Sequence, residues 1–271
     1  MEPNGRLAEN EQFGKYRIVR LMGEGGMGAV YEAVHPVLKK RFAIKTLLPT
    51  VAAQRDARTR FLREAEAASR INHPNVVAVL DVGTEGDTPY LVMEFLDGET
   101  LDALIERRSV LPVADAVDLM LPVISAVSTA HEHGVIHRDL KPQNILFREN
   151  GRLAIADFGL ARDLGADSSL TAHGSLFATP RYMSPEQFMG QTVDPRSDLY
   201  SLGVILVEML TGKRVFEAEN AAGLIYQHVH GPIPQLPGKL AGYQPIVDRL
   251  LAKKPEDRFQ SARDLFSYIA I

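Results

Sequence analysis

The sequence predicts an α+β fold, with strands gathered early in the chain and helices late. Three observations carry this. Tyr16-Arg17-Ile18-Val19 and Ala29-Val30-Tyr31-Glu32-Ala33 read as strands on either side of a glycine-rich turn. No helical period follows that turn, and Phe42-Ala43-Ile44-Lys45 continues the strand-like pattern. Later the apolar positions form long helical runs, at 113–131 and 199–210.

The turn itself, Gly23-Glu24-Gly25-Gly26-Met27-Gly28, has the spacing G-x-G-x-x-G. Such a hairpin lets backbone amides approach phosphates with no Cβ in the way, at a cost of roughly 0.5–1 kcal/mol per glycine. The same spacing marks dinucleotide sites when it joins a strand to a helix, and the strand that follows here disfavours that reading. Lys45 ends its strand where an ammonium can reach the α- and β-phosphates; taken alone it would be a strand-end lysine reaching for water. A lysine in that position needs a carboxylate, and the helix around 61–71 offers Glu64 and Glu66. Phe61, Ala65 and Ala68 fall at i, i+4 and i+7, a stripe that contains Glu64. Glu66 points away and has Arg70 at i+4, a solvated pair worth roughly 0.3–0.5 kcal/mol. Glu64 is therefore the expected partner of Lys45.

The most informative run is His137-Arg138-Asp139-Leu140-Lys141-Pro142-Gln143-Asn144, followed by Asp157-Phe158-Gly159. Asp139 can orient a hydroxyl and take its proton, while Asn144 and Asp157 offer hard oxygens suited to Mg²⁺. Either aspartate by itself would read as a surface carboxylate near a turn. Phosphoryl transfer asks little covalent chemistry of a protein beyond positioning and charge neutralisation, and this segment carries groups for both. Pro122 interrupts the 113–131 run and should kink or split that helix. Asp194-Pro195 forms an N-cap and first-position pair ahead of the 199–210 run, which reads as a helix buried on all sides.

With these pieces in one order, the chain resembles a protein kinase catalytic domain, and among those the bacterial serine/threonine kinases of the Hanks type. The resemblance spans about 16–268 and continues through the hinge Met93-Glu94-Phe95-Leu96, Ser184-Pro185-Glu186, Asp198 and Arg258. It implies two lobes: a small antiparallel sheet with one helix (about 16–93), a hinge (about 94–98) and a larger, mainly helical lobe (about 99–268). It implies ATP as cofactor with Mg²⁺, Mn²⁺ being an alternative. Lys45 and Glu64 would hold the α/β-phosphates, Asp139 would accept the substrate proton, Lys141 would contact the transferring phosphate, and Asn144 with Asp157 would bind metal. Gly23, Glu24, Gly25, Gly26, Met27 and Gly28 would cover the nucleotide. Val30, Ala43 and Leu146 would sandwich the purine, Met93 would be the gatekeeper, and the backbone of Glu94 and Leu96 would bond the base. Lys141-Pro142 and Thr179 match the serine/threonine form rather than the tyrosine form. Asp198 would bond the catalytic-loop backbone, and Glu186 with Arg258 would form a buried ion pair of the large lobe. Arg138 would bind a phosphate on the activation segment, with Thr171 the expected autophosphorylation site and Ser175 the alternative, since His173 stands where relatives often carry a second phosphothreonine. Ala178 stands where the family usually has glycine.

Composition sets the remaining bounds. With 271 residues, 45% hydrophobic and 24% charged, the chain can bury a full core. It contains no cysteine, which excludes disulfides and thiolate metal sites, and the net charge of −4 gives no basic field for nucleic acid. His131, His133 and His137 lack the H-E-x-x-H spacing, and His228 and His230 have no evident partner, so no zinc site is expected. No uninterrupted apolar stretch reaches the roughly 18–20 residues of a spanning helix. A polar leader at 1–15 is expected to be mobile. The expected location is the cytoplasm, either free or as the cytosolic part of a longer membrane-anchored protein, and a homodimer through the small lobe is a family-level expectation. A pseudokinase is disfavoured by the full set of Lys45, Glu64, Asp139, Asn144 and Asp157. A small-molecule phosphotransferase is disfavoured by Thr179, Ser184-Pro185-Glu186 and Lys141-Pro142, which resemble apparatus for docking a polypeptide.

Overall fold

The structure is a computed structural model and describes residues 6–26, 28–158 and 180–270. The small lobe is built on β1 (Gln12–Phe13), β2 (Tyr16–Glu24), β3 (Gly28–His35), β4 (Lys40–Leu47), β5 (Val79–Glu85) and β6 (Thr88–Glu94). These strands form one antiparallel sheet in the order β1-β2-β3-β4-β6-β5. A single turn, α1 (Pro49–Ala52), leads into α2 (Arg55–Ser69), which buries Ala57, Phe61, Ala65 and Ala68 and packs Phe61 and Ala65 with the sheet. On the opposite face Tyr16, Ile18, Tyr31, Phe42 and Ile44 form a second apolar layer. Runs of consecutive buried residues in β3 and β4 are those of strands covered on both sides.

The described part of the leader, residues 6–15, lies against the sheet. Leu7 and Phe13 are buried in the outer layer, and the Leu7 amide donates to the Tyr31 hydroxyl at 3.3 Å. Residues 10 and 11 add backbone bonds to Ile18, at 2.9 Å each. Two apolar anchors in an otherwise polar stretch suffice to lay it against the sheet; composition averaged over the leader hides them.

The large lobe comprises α3 (Leu101–Arg108), α4 (Val113–Glu132), the two-stranded β7 (Ile145–Phe147) and β8 (Leu153–Ile155), α5 (Pro185–Phe188), α6 (Pro195–Thr211), α7 (Ala221–His230), α8 (Gln244–Leu250) and α9 (Ala262–Ile269). Asp194 caps α6 by accepting from the Arg196 amide at 2.9 Å, and fourteen consecutive residues from Ser197 to Leu210 are buried. α4 runs unbroken through Pro122, so the expected alternative of a split helix is not seen. Its buried stripe of Met120, Val123, Ile124 and Val127 flanks the proline and holds both halves in the core, so packing outweighs the missing N–H. This helix is long and apolar enough by composition to cross a membrane, which the sequence reading did not anticipate, yet the same stripe places it inside the lobe.

Between the lobes, residues 71–78 dock on β8. Val77 donates to the Ile155 carbonyl and Ile155 to the Asn75 carbonyl, both at 2.9 Å, so the connection after α2 moves with the large lobe.

At the base of α5, Arg258 forks onto Glu186 at 2.7 and 2.8 Å, and its remaining donors reach the Ala252, Lys253 and Arg196 carbonyls. The guanidinium is fully buried. Burial alone would push the Glu186 carboxyl up; Arg258, with Ser197, holds it below the usual range. Replacement of Arg258 by alanine leaves Glu186 unpaired and should cost about 3–5 kcal/mol, seen as a large fall in melting temperature and soluble yield; unchanged melting would contradict the role.

His228 lies buried among Phe188, Tyr200 and Phe216, with Nδ1 3.0 Å from the Tyr200 hydroxyl. Burial, reinforced by the charge of Lys253, lowers its pKa to about 4. The unfolded state therefore binds the extra proton first, and the contribution of His228 is full above about pH 6.5 and is lost as pH falls toward 4. Chemical denaturation at pH 7.5 and 5 should show His228→Gln losing about 2 kcal/mol less than the parent across that interval.

Candidate active site

The loop carrying Asp139 is organised from below by one carboxylate. Asp198, in the first turn of α6 and fully buried, accepts the His137 amide through Oδ2 and the Arg138 amide through Oδ1, both at 2.9 Å. Its Oδ2 also meets His131 Nε2 at 2.7 Å, while His131 Nδ1 is buried without a partner among the described residues, so the ring donates through Nε2. Burial would raise the Asp198 pKa, and the bonds from His131 and the His137 amide hold it below its ordinary value. Pinned this way, the chain turns at Arg138 with φ +67°, and Gln187 Nε2 clamps the Arg138 carbonyl at 2.7 Å. A non-glycine residue in that region is strained and persists only where its surroundings over-determine it.

His137 then links two segments. Its Nδ1 accepts the Asp139 amide at 3.3 Å, so Nε2 carries the proton and donates to the Ala156 carbonyl at 2.9 Å. Its ring packs edge-on against Phe158 at 4.8 Å. Asp157, between Ala156 and Phe158, is itself held at φ +62°.

Around Asp139 the polar groups converge. Lys141 Nζ is 2.6 Å from Asp139 Oδ2, and Asn144 Nδ2 donates to the Asp139 carbonyl at 2.8 Å. The amide nitrogen of Asn144 being engaged, its oxygen is the end left to meet a cation. Lys45 Nζ bonds Asp157 Oδ1 at 2.8 Å. Among the described residues no ion pair joins Lys45 to the expected Glu64: Lys45 is on Asp157, and Glu64 is half-buried on α2. Desolvation would push Asp157 up, and the charge and bond of Lys45, aided by His137 and Lys141, hold it below the usual carboxylate range. Asp157 is therefore the carboxylate that holds the Lys45 ammonium. Glu66 pairs with Arg70 at 2.7 Å on the surface.

The cleft above follows from register. Val30 stands opposite Lys45, and Ala43 opposite Met93, so Val30, Ala43, Lys45, Leu91 and Met93 share one face of the sheet. Leu146 on β7 approaches from the large lobe, where it bridges to Thr100 beyond the hinge. Gly28 is required by the sheet, since a Cβ there would lie 2.2 Å from the Thr46 carbonyl, whereas Gly23 and Gly25 face open space. Gly98 is required similarly, its Cβ position falling 1.9 Å from the Phe147 carbonyl.

Two features escaped the sequence reading. A small apolar cavity lies behind Met93, lined by Ala68, Val77, Leu91 and Phe158. Beside Asp139, the Tyr182 hydroxyl donates to Glu208 Oε2 at 2.8 Å and Ser201 holds the Tyr182 carbonyl at 2.7 Å, tying the 180–183 segment to α6. Burial pushes the Glu208 carboxyl up to about 7. Glu208 sits mid-run in an apolar helix, and that polar interruption was the available signal. Met27, Thr171, Ser175 and Thr179 lie outside the described residues.

The protein kinase domain profile matches residues 16–267. The chain belongs to the protein kinase family. It is 40% identical over 257 residues to the serine/threonine-protein kinase PknH of Mycobacterium tuberculosis (strain ATCC 25618 / H37Rv), covering 93% of this chain and 41% of that one. It is 36% identical over 256 residues to the serine/threonine-protein kinase PrkC of Bacillus subtilis (strain 168), covering 93% and 39%. The chain thus spans about two fifths of the length of these relatives. Among solved structures, the Mycobacterium tuberculosis PknI kinase domain superposes with a TM-score of 0.77 at 30% identity, covering 98% of each chain. The family uses ATP and a divalent metal ion, and the kinase fold accounts for both lobes.

The Lys45–Asp157 pair is partly open to solvent, so Lys45→Met should change unfolding free energy by no more than about 1 kcal/mol. Phosphoryl transfer should fall by roughly two orders of magnitude or more. A variant that melts normally and transfers phosphate normally would remove Lys45 from the chemistry.

Proposed function

We propose that this kinase domain transfers the γ-phosphoryl group of ATP to serine and threonine hydroxyls of proteins. The observation that carries the reading is the convergence on Asp139, where Lys141 and Asn144 both bond within 2.8 Å, beside Asp157 held ionised by Lys45. In the reaction the substrate oxygen bonds to Pγ, the bond from Pγ to the bridging oxygen of ADP breaks, and Asp139 takes the hydroxyl proton. Lys141, already on the Asp139 carboxylate, neutralises charge on the transferring group. Lys45 serves the α- and β-phosphates, with Glu64 as its partner once the nucleotide is engaged, and Gly23, Glu24, Gly25, Gly26, Met27 and Gly28 close over them.

The donors fit a hard divalent ion: the Asp157 carboxylate and the free amide oxygen of Asn144 suit Mg²⁺ or Mn²⁺. The described residues contain no cluster of three His, Cys, Asp or Glu that would cage a metal, which agrees with an ion completing its shell from phosphate and water. When bound, it neutralises charge on the β,γ-bridging region. Val30, Ala43 and Leu146 enclose the adenine, Met93 closes the back, and the backbone at Glu94 and Leu96 meets the base edge.

Serine/threonine preference follows Lys141-Pro142 and Thr179, and is supported by the names of the relatives. We place the activity in the cytoplasm, whether or not a longer chain anchors it. Exposed Val19, Leu21 and Met22 on β2 favour a homodimer through the small lobe. Control is assigned to Thr171, with Ser175 second, through Arg138.

Intact mass and phosphopeptide mapping with ATP and Mg²⁺, beside Asp139→Asn, tests this. Phosphate on Thr171 in the parent alone is expected. Its absence from both proteins, with no transfer to peptide substrates, would overturn the reading.

A further inference from the structure

The hinge must present its backbone to the nucleotide at a fixed position, and an arginine outside the catalytic set is placed to hold it there. Arg148, just past β7, forks onto the carboxylate of Glu94: Nη2 bonds Oε1 at 2.7 Å and Nη1 bonds Oε2. Nη2 also reaches the Val76 carbonyl at 3.2 Å. Glu94 in turn accepts the Ala78 amide on Oε1 at 2.9 Å, and its own amide donates to the Ala78 carbonyl at 3.0 Å. One guanidinium therefore joins three segments, namely the end of β6, the lead-in to β5 and the β7–β8 hairpin. Roughly a fifth of each side chain is exposed, at 21% for Arg148 and 23% for Glu94. That burial reduces solvent screening, and the fork geometry fixes direction as well as distance.

A second arginine touches the hinge from the small lobe and provides a contrast. Arg41 on β4 bonds Asp97 at 2.7 Å and lies 4.5 Å over the Phe95 ring, but it is 43% exposed and its partner 51%. An open pair of that kind holds little.

We propose that Arg148 is a positioning residue for nucleotide binding, setting the hinge backbone through Glu94, whereas Arg41 is dispensable for it. The inference rests on reading the cleft as the ATP site. Arg148 has no contact with Asp139, Lys141, Asn144 or Asp157, so its loss should act on nucleotide affinity and leave the chemical step alone.

The test is direct binding of ATP by calorimetry, independent of phosphoryl transfer, followed by steady-state kinetics. Arg148→Met should weaken ATP binding roughly 5- to 20-fold and raise KM for ATP in step, with kcat within about twofold. Glu94→Gln should do the same, and the double variant should be no worse than either single one. Arg148→Lys should not restore affinity, because an ammonium cannot make the fork and the Val76 bond together; it also serves as the readout should the methionine variant fail to fold. Arg41→Met should remain within about twofold of the parent. Unchanged ATP affinity in Arg148→Met, or a fall in kcat at unchanged KM, would overturn the proposal. A parent protein that binds ATP but transfers no phosphate would sink the functional reading while leaving this one standing on the binding arm.

Discussion

The site depends on a single buried charge. Asp198 is removed from water at the start of α6 and is stabilised by two loop amides and one imidazole. An uncompensated carboxylate there would be prohibitive, so the loop from His137 to Asp139 can take only the path that supplies those donors. That path includes the unfavourable turn at Arg138, and the turn is what brings Asp139 up to Lys141 and Asn144. α6, buried along its length, is the rigid element from which the active site is suspended.

The other supports attach to the same helix or to its neighbours. Glu186 receives Ser197 of α6 as well as Arg258, and Tyr182 is held by Glu208 and Ser201 of α6. The 180–187 segment, which contains the Ser184-Pro185-Glu186 that the sequence likens to polypeptide-docking apparatus, is therefore fixed to the scaffold that fixes the catalytic loop. Gln187 joins the two directly through the Arg138 carbonyl. The small lobe is tied to the large one through residues 75–78 on β8, the hinge, the Arg148 fork onto Glu94 and the Lys45–Asp157 pair.

Much of this was legible in the sequence, for identifiable reasons. The strands around Gly23 to Gly28, the stripe of α2, and the Asp194 cap of α6 rest on local periodicity and capping, which depend on near neighbours in the chain. The catalytic set was legible because its residue types match a demanding chemistry at fixed spacing. Four features were not. Leu7 and Phe13 are buried in a stretch whose average composition is polar, since burial is decided residue by residue. Pro122 was expected to kink or split α4, and the helix continues through it because flanking core contacts outweigh one lost hydrogen bond. Lys45 and Asp157 lie 112 residues apart in the chain, so their pairing is visible only once Asp157 is placed against the small lobe. Arg148 and Glu94 lie 54 residues apart with no periodicity to connect them, so their pairing exists only in three dimensions.

The most direct test of the central claim is amide hydrogen exchange at His137 and Arg138, measured together with kcat, in Asp198→Asn against the parent. Loss of the carboxylate charge with little change in shape should raise exchange at those two amides and lower kcat while leaving KM for ATP near its parent value. Protected amides with a parental kcat in Asp198→Asn would show that the loop holds its shape without this charge, and would contradict the account.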